Sequence, residues 1–312
     1  MIKKIVLIII GAALLVLLGL IIYFREFQNL PEFALSLLSP MPAPTANENI
    51  LVFAPHSDDE VLATGGYISL AIKSQANVTV VLATNGDGHR FSSMEEYKEI
   101  YPDSADYIQS GYDRQQETIN GLAVLGVKKE NIIFMGYPDG GLQNLLNGNY
   151  QTPYTSPYTK KQNTPYTNSY QSNVAYTGEN LTNNLTSIIN EKNPDVILVS
   201  SPNDLHPDHA ALAVFLDRAL NRITLKPQVY NYLVHARGFP YPKGLHPNRF
   251  LSPPARFVSD DDTWFNYNLS ADVLNQKQTA VEQYHSQLKV PLLHSLMDSF
   301  IRQNEIFFKV NR

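Results

Sequence analysis

Asn49-Ile-Leu-Val-Phe-Ala-Pro-His-Ser-Asp-Asp-Glu60 opens the folded part of the chain. Ile50 to Ala54 is a short continuous apolar run, the pattern of a strand buried on both faces. A polar cluster follows at once, from Pro55 to Glu60. Residues 59–73 then place Val61, Leu62, Ile68, Leu70 and Ile72 at a helical spacing. The same unit recurs along the chain. Strands are expected at Val78–Ala83, Ile132–Met135, Val196–Val199 and 228–234, with helices at 112–125, 180–191 and 208–221 between them. Residues 271–288 and 292–304 read as closing helices, after a Pro-rich irregular stretch. The alternation predicts an α/β fold, a Rossmann-like doubly wound and mostly parallel sheet flanked by helices. Ligands of such sheets bind beyond the carboxyl ends of the strands.

A second polar cluster, His206-Pro-Asp-His209, follows the strand at 196–199. Pro207 suits the first turn of a helix, so His206 and His209 lie about one turn apart and face the same way. One can ligate a metal while the other donates a proton or a hydrogen bond. In the first cluster, His56 and one of Asp58 and Asp59 can converge on a metal. The other carboxylate then stays free as a base. Two imidazoles, a carboxylate and a spare carboxylate are the donor set of a catalytic zinc site with a position open for water. Another divalent ion that accepts nitrogen and oxygen ligands also fits this set. The blander alternatives are a helix N-cap at Asp58 or Asp59 and a pair of surface histidines at 206 and 209. Both clusters stand at the carboxyl ends of strands in one expected sheet, which favours the metal. His89, in a Gly-rich loop, and His235, at a strand end on the same edge, are weaker candidates for substrate contact. His246, His285 and His294 read as structural.

Composition bounds the rest. The 312 residues are 44% hydrophobic and 17% charged, as in an ordinary globular domain. There is no cysteine, which excludes a disulfide framework, Cys-rich zinc modules and thiol catalysis. Beyond residue 46 the balance is 21 basic to 27 acidic residues with no basic run, a poor match for nucleic acid. The oligomeric state is not legible. Lys3 and Lys4 precede an uncharged apolar run of 20 residues, Ile5 to Phe24. That length predicts a transmembrane anchor over 1–26, with the membrane contact through residues 5–24. A cleaved signal and a buried helix are the alternatives. The flanking lysines put the N-terminus in the cytoplasm, so a single-pass cell-membrane protein with an extracytoplasmic domain is expected. Pro40, Pro42 and Pro44 mark 27–48 as a linker, which leaves 49–312 as the domain.

Together the two clusters resemble those of the PIG-L/LmbE-like family of zinc-dependent N-acetylglucosaminyl deacetylases. The family's first motif is close to Ala-His-Pro-Asp-Asp-Glu, where this chain has Pro55-His56-Ser57-Asp58-Asp59-Glu60. The departures, Pro for Ala and Ser for Pro, remove no chemical group. His-Pro-Asp-His is intact at 206–209. Softer matches are Thr84-Asn85-Gly86-Asp87-Gly88, Arg114 to Glu117, Gly136-Tyr137-Pro138-Asp139-Gly140-Gly141 and Tyr284 to Gln287. The resemblance covers residues 49–290. It implies that His56, Asp59 and His209 hold Zn2+ and that Asp58 is the general base. It implies that His206, as imidazolium, stabilises the oxyanion or protonates the leaving amine, and that Arg114 and Asp139 contact the sugar. The implied activity is hydrolysis of the N-acetyl group of an N-acetylglucosamine-type sugar or glycan.

Residues 143–178 interrupt the alternation with Tyr150, Tyr154, Tyr158, Tyr166, Tyr170 and Tyr176. This insertion is either a polar surface excursion or an aromatic rim that stacks on sugar rings. Two other classes compete with the enzyme: a non-catalytic surface carbohydrate-binding protein of the same fold, and a nucleotide-binding protein. The binder has no use for a free base at Asp58, and no Gly-x-Gly-x-x-Gly follows the first strand.

Overall fold

A computed structural model describes residues 2–27, 32–89, 93–94, 101–257 and 262–310. In chain order the elements are α1 (Ile2–Phe27), β1 (Ser39–Pro40), β2 (Asn49–Ala54), α2 (Asp59–Lys73), β3 (Asn77–Thr84) and α3 (Ser104–Val124). Then come β4 (Ile132–Tyr137), α4 (Leu142–Asn147), α5 (Gly178–Lys192), β5 (Val196–Ser200), α6 (Pro207–Leu220) and β6 (Gln228–Tyr232). The chain closes with β7 (Asp262–Asn268), α7 (Ala271–Val281), α8 (His285–Leu288), α9 (Pro291–Asp298) and β8 (Asn304–Val310).

The strands form one sheet in the order β1-β7-β8-β6-β5-β2-β3-β4. All neighbours are parallel except β6 with β8 and β7 with β8. Alternation along β2 shows why both faces are covered. Ile50, Val52 and Ala54 enter one apolar cluster with α2, while Leu51 and Phe53 enter the other with α5 and α6. This is the mixed α/β architecture expected, a mostly parallel sheet between layers of helices. The chain runs outward from β2 through β3 to β4 on one side, and from β5 to β6 on the other. The strand order therefore reverses between β2 and β5, where a crevice forms at the carboxyl ends. His56 follows β2 and His209 follows β5, so the fold brings the two clusters together there.

Three departures from expectation have physical causes. α3 begins eight residues before the expected 112, because Asp103 and Asp106 form a capping box there. The second closing helix ends at Asp298, and the chain re-enters the sheet as β8, bonded along its length to β7. The third concerns the N-terminus. Among the described residues no helix is long and apolar enough to cross a membrane. The expected single-pass anchor over 5–24 is corrected accordingly, and with it the cell-membrane and extracytoplasmic assignment.

The stretch expected as a linker contributes β1, which pairs with β7 at the sheet edge, and Leu35 and Met41 are buried. In the insertion, Tyr166 and Tyr176 are buried, and Tyr170 N–H donates to Phe134 C=O of β4 at 2.8 Å. Much of this segment is therefore structural cover. Tyr158 lies elsewhere, in the crevice described next.

Candidate metal centre

The turn after β2 is built around Asp58. Its backbone stands at φ 112°, ψ −37°. Non-glycine residues rarely adopt this left-handed region, and it costs on the order of 1–3 kcal/mol. Local bonds hold it. Asp58 N–H donates to Glu60 Oε2 at 3.0 Å, and Asp58 C=O accepts from the N–H groups of Val61 and Leu62. Asp58 occupies the N-cap position of α2, yet its carboxylate makes no capping bond. It lines the crevice instead, where Arg114 Nη2 reaches Asp58 Oδ2 at 3.2 Å. Asp59, the first residue of α2, turns inward, and its Oδ2 accepts from His56 N–H at 3.1 Å.

Three donor atoms meet at this turn. His56 Nδ1 lies 3.2 Å from Asp59 Oδ2, His209 Nε2 lies 3.1 Å from the same oxygen, and the two nitrogens are 3.3 Å apart. Ligands at about 2.0–2.2 Å in a tetrahedral set stand about 3.3–3.5 Å from one another, close to this triangle. His56, Asp59 and His209 are all buried. The residues present therefore fit a divalent metal held by two imidazoles and a carboxylate.

Each imidazole is backed by further carboxylates. His56 Nε2 faces Asp139 Oδ1 at 3.2 Å and Asp208 Oδ2 at 3.3 Å. Asp208 is fixed in turn by Gly140 N–H (2.7 Å) and Leu142 N–H (2.9 Å), and Asp139 by Gly88 N–H (2.7 Å). His209 Nδ1 faces Asp204 Oδ2 at 3.4 Å, an electrostatic contact rather than a formed hydrogen bond. Asp204 also accepts from the N–H groups of His206, Val234 and His235, tying the loop after β5 to the end of β6. Such backing orients ligating imidazoles and raises their basicity. Asp204→Asn is expected to weaken metal affinity about 10- to 100-fold, read by competition against a chelator of known affinity.

Charge explains the need for a cation. Asp59, Asp139, Asp204 and Asp208 are buried and Asp58 is half-buried, while Arg114 is the fixed positive charge among them. Burial alone would lower the imidazoles. Asp139, Asp208 and Asp59 instead raise His56 well above its usual range, and Asp59 and Asp204 raise His209 to about 9. Asp59 lies well below the usual carboxylate range despite burial, because His209 and His56 face it. Asp58 differs: burial pushes it up to about 7, against the pull of Arg114.

The remaining expected residues all line one cavity of about 350 Å³ above this triangle. Arg114 Nη1 donates to Gly86 C=O at 2.6 Å, and its Nη2 bonds Ser57 C=O as well as Asp58. Its guanidinium thus fixes the turn that carries the spare carboxylate. Gly86 is required twice: its φ is +65°, and a Cβ there would meet Arg114 Nη1 at 1.9 Å. Asp139 backs His56. His206 caps α6, its Nδ1 accepting from Asp208 N–H at 3.3 Å, and its ring meets His56 edge-on at 4.6 Å. Burial, with His56 and His209 nearby, lowers His206 to about 4. Burial likewise lowers His89 to about 4 and His235 to about 3.

Sequence reasoning gave no role to Asp204, Asp208, Glu60 or Tyr284. The first three stand inside or beside the two motifs, where proximity in sequence was the available signal. Tyr284 comes from the far end of the domain, and its hydroxyl donates to Glu60 Oε1. It braces the residue that holds Asp58 N–H. Burial pushes Glu60 up to about 8, with the Tyr284 bond acting against it. Tyr284→Phe leaves that buried oxygen without its donor, and is expected to cost about 1–3 kcal/mol of stability in chemical denaturation.

Residues 51–220 match the PIG-L family model, described as GlcNAc-PI de-N-acetylase. Comparison with curated proteins gives no match. Among solved structures, a deacetylase triple mutant involved in the teicoplanin biosynthetic pathway shares 18% identity, covering 83% of this chain and 96% of that one, with a TM-score of 0.51. A deacetylase–bog complex from the same pathway shares 20% identity over 80% and 89%, TM-score 0.51. The A40926 pseudoaglycone deacetylase Dbv21 shares 17% over 85% and 99%, TM-score 0.50. At these identities the likeness is one of fold.

Proposed function

Because the chain belongs to the PIG-L family, and is thereby a metal-dependent N-deacetylase, we propose that it hydrolyses the N-acyl group of an N-acetylglucosamine-type amino sugar with zinc as its metal. One observation carries this reading: the triangle of His56 Nδ1, His209 Nε2 and Asp59 Oδ2, with the carboxylate of Asp58, held by Arg114, beside it and outside it. His56, Asp59 and His209 would hold the metal. A zinc ion bound there supplies Lewis acidity, making water a stronger acid and an amide carbonyl a better electrophile.

The chain's own groups do the rest. Asp58 takes the proton of the attacking water, and Arg114 keeps its carboxylate aimed into the cavity. His206, neutral, presents Nε2–H to the oxygen on which negative charge develops, while its Nδ1 stays committed to the cap of α6. The amide nitrogen leaves only once protonated. Asp58, having accepted a proton, is the acid beside it and returns that proton to the departing amine. His89 lines the cavity where sugar hydroxyls need partners, beside Asp139. A non-catalytic carbohydrate binder would gain nothing from a carboxylate held at strained backbone against a metal-ligand triangle.

The test is amine release from N-acetylglucosamine and its short oligomers by the metal-loaded full-length protein. Chelator-sensitive release of one amine per acyl group is expected. Metal-loaded protein inert on every one of these sugars would point to a different amide.

A further inference from the structure

The cavity has two unlike walls. Toward β3 and β4 it is polar, lined by Gly88, His89, Asp139 and Arg114. Toward β6 and α9 it is lined by Leu62, Val234, Leu293, Leu296 and Met297, beside the polar His235 and Gln287. Strand order separates the two. The loops after β3 and β4 lie on one side of the β2–β5 crevice, and Val234, just past β6, lies on the other. The apolar wall is continuous with the core, since Leu62, Val234 and Met297 share one buried cluster and Leu296 packs against it. Leu293 is half-buried, and the neighbouring Leu292 is 85% exposed, so α9 offers apolar surface both to the cavity and beside it. Four of the five wall residues lie outside the 51–220 segment that matches the family model.

An amide divides at its carbonyl into an amine half and an acyl half. The sugar's hydroxyls need hydrogen-bond partners, and burying them against aliphatic side chains is unfavourable. The polar wall therefore suits the sugar, and the apolar wall falls to the acyl group. One acetyl methyl is too small to cover Leu293 and Leu296, the two wall side chains that keep open surface over the buried Leu62, Val234 and Met297. We infer that this site takes N-acyl chains longer than acetyl in preference to acetyl, a linear chain of about four to eight carbons lying along Leu293, Leu296 and Met297, as suits a cavity at the small end of the usual range. The inference rests on the amino-sugar deacylase reading above. The chemistry is unchanged. The amide C–N bond breaks, the oxygen of water joins the acyl carbon to give a carboxylate, and a proton passes to the amine.

Each methylene buried adds about fourfold to kcat/KM. The metal-loaded full-length protein should therefore hydrolyse N-butanoylglucosamine about ten- to fifteenfold faster, in kcat/KM, than N-acetylglucosamine, and the N-hexanoyl compound faster again. Binding of the carboxylate products, titrated calorimetrically as acetate, butanoate and hexanoate, should tighten in the same order. Leu293→Ser should reduce the hexanoyl-to-acetyl ratio of kcat/KM. Turnover of the acetyl sugar that falls as the chain lengthens would overturn the inference and leave the deacylase reading standing. Turnover of none of the three sugars would overturn that reading, and the inference with it.

Discussion

Alanine at position 209 is expected to leave the protein without bound metal and without measurable hydrolysis. His209 supplies one corner of the donor triangle, 3.1 Å from Asp59 Oδ2 and 3.3 Å from His56 Nδ1, and its side chain is wholly buried. His206 is committed to the cap of α6, and Asp204, which backs His209 from the far side, is held by three backbone N–H groups. Two remaining donors and a water-filled gap do not retain a divalent ion against dialysis. Metal content should fall from about one per chain to near zero. Activity should drop by about a thousandfold or more, since Lewis-acid stabilisation supplies several kcal/mol of the barrier reduction. The substitution also leaves Asp204 and Asp59 facing each other without the cation between them, so some loss of stability accompanies it. Circular dichroism separates that loss from unfolding. A folded variant that still binds one metal would remove His209 from the ligand set.

Asp58→Asn is the complementary experiment, because it should separate metal from chemistry. Asparagine is nearly isosteric, and its carbonyl oxygen can still accept from Arg114 Nη2. The triangle of His56, Asp59 and His209 does not include it, so metal content should stay at about one per chain. The side chain can no longer take a proton. General-base catalysis contributes about 10²- to 10⁴-fold, and kcat should fall by that factor with little change in KM. Steady-state kinetics beside elemental analysis of the same preparation checks both halves. Full turnover by the variant would show that Asp58 is not the base.

What could be read from the sequence followed local pattern. The first β-α unit is legible from Asn49 to Lys73, because an apolar run, a polar turn and a helical spacing stand in a row there. The two motifs are legible because each holds its candidate donor atoms within four residues, and the parallel-sheet rule brings them to the same edge. What depended on tertiary pairing was hidden. Asn304–Val310 forms β8 only because β7 offers it an antiparallel partner, and its short Ile-Phe-Phe run does not exclude a helix end. Asp204 becomes a backing residue only when the loops after β5 and β6 meet. The bonds that Arg114 makes to the Gly86 and Ser57 carbonyls likewise depend on how distant turns meet. The capping box at Asp103 and Asp106 is a local signal for the first two turns of α3, which the apolar spacing from 112 onward does not carry. The six tyrosines of 143–178 could not be divided by sequence. Burial of Tyr166 and Tyr176, against the cavity position of Tyr158, is decided by how the segment folds back on β4. The apolar run at the N-terminus shows the limit of composition, for a 20-residue hydropathic stretch predicted a span that the described helices do not provide.

Elemental analysis of the purified full-length protein, paired with chelator treatment, bears most directly on the central claim. The triangle of His56, Asp59 and His209 predicts about one divalent metal per chain, zinc among the candidates. Deacylation should be lost when a chelator removes it and restored when zinc is returned. Protein that stays metal-free after zinc is added back, or that releases amine equally well with chelator present, would contradict the account.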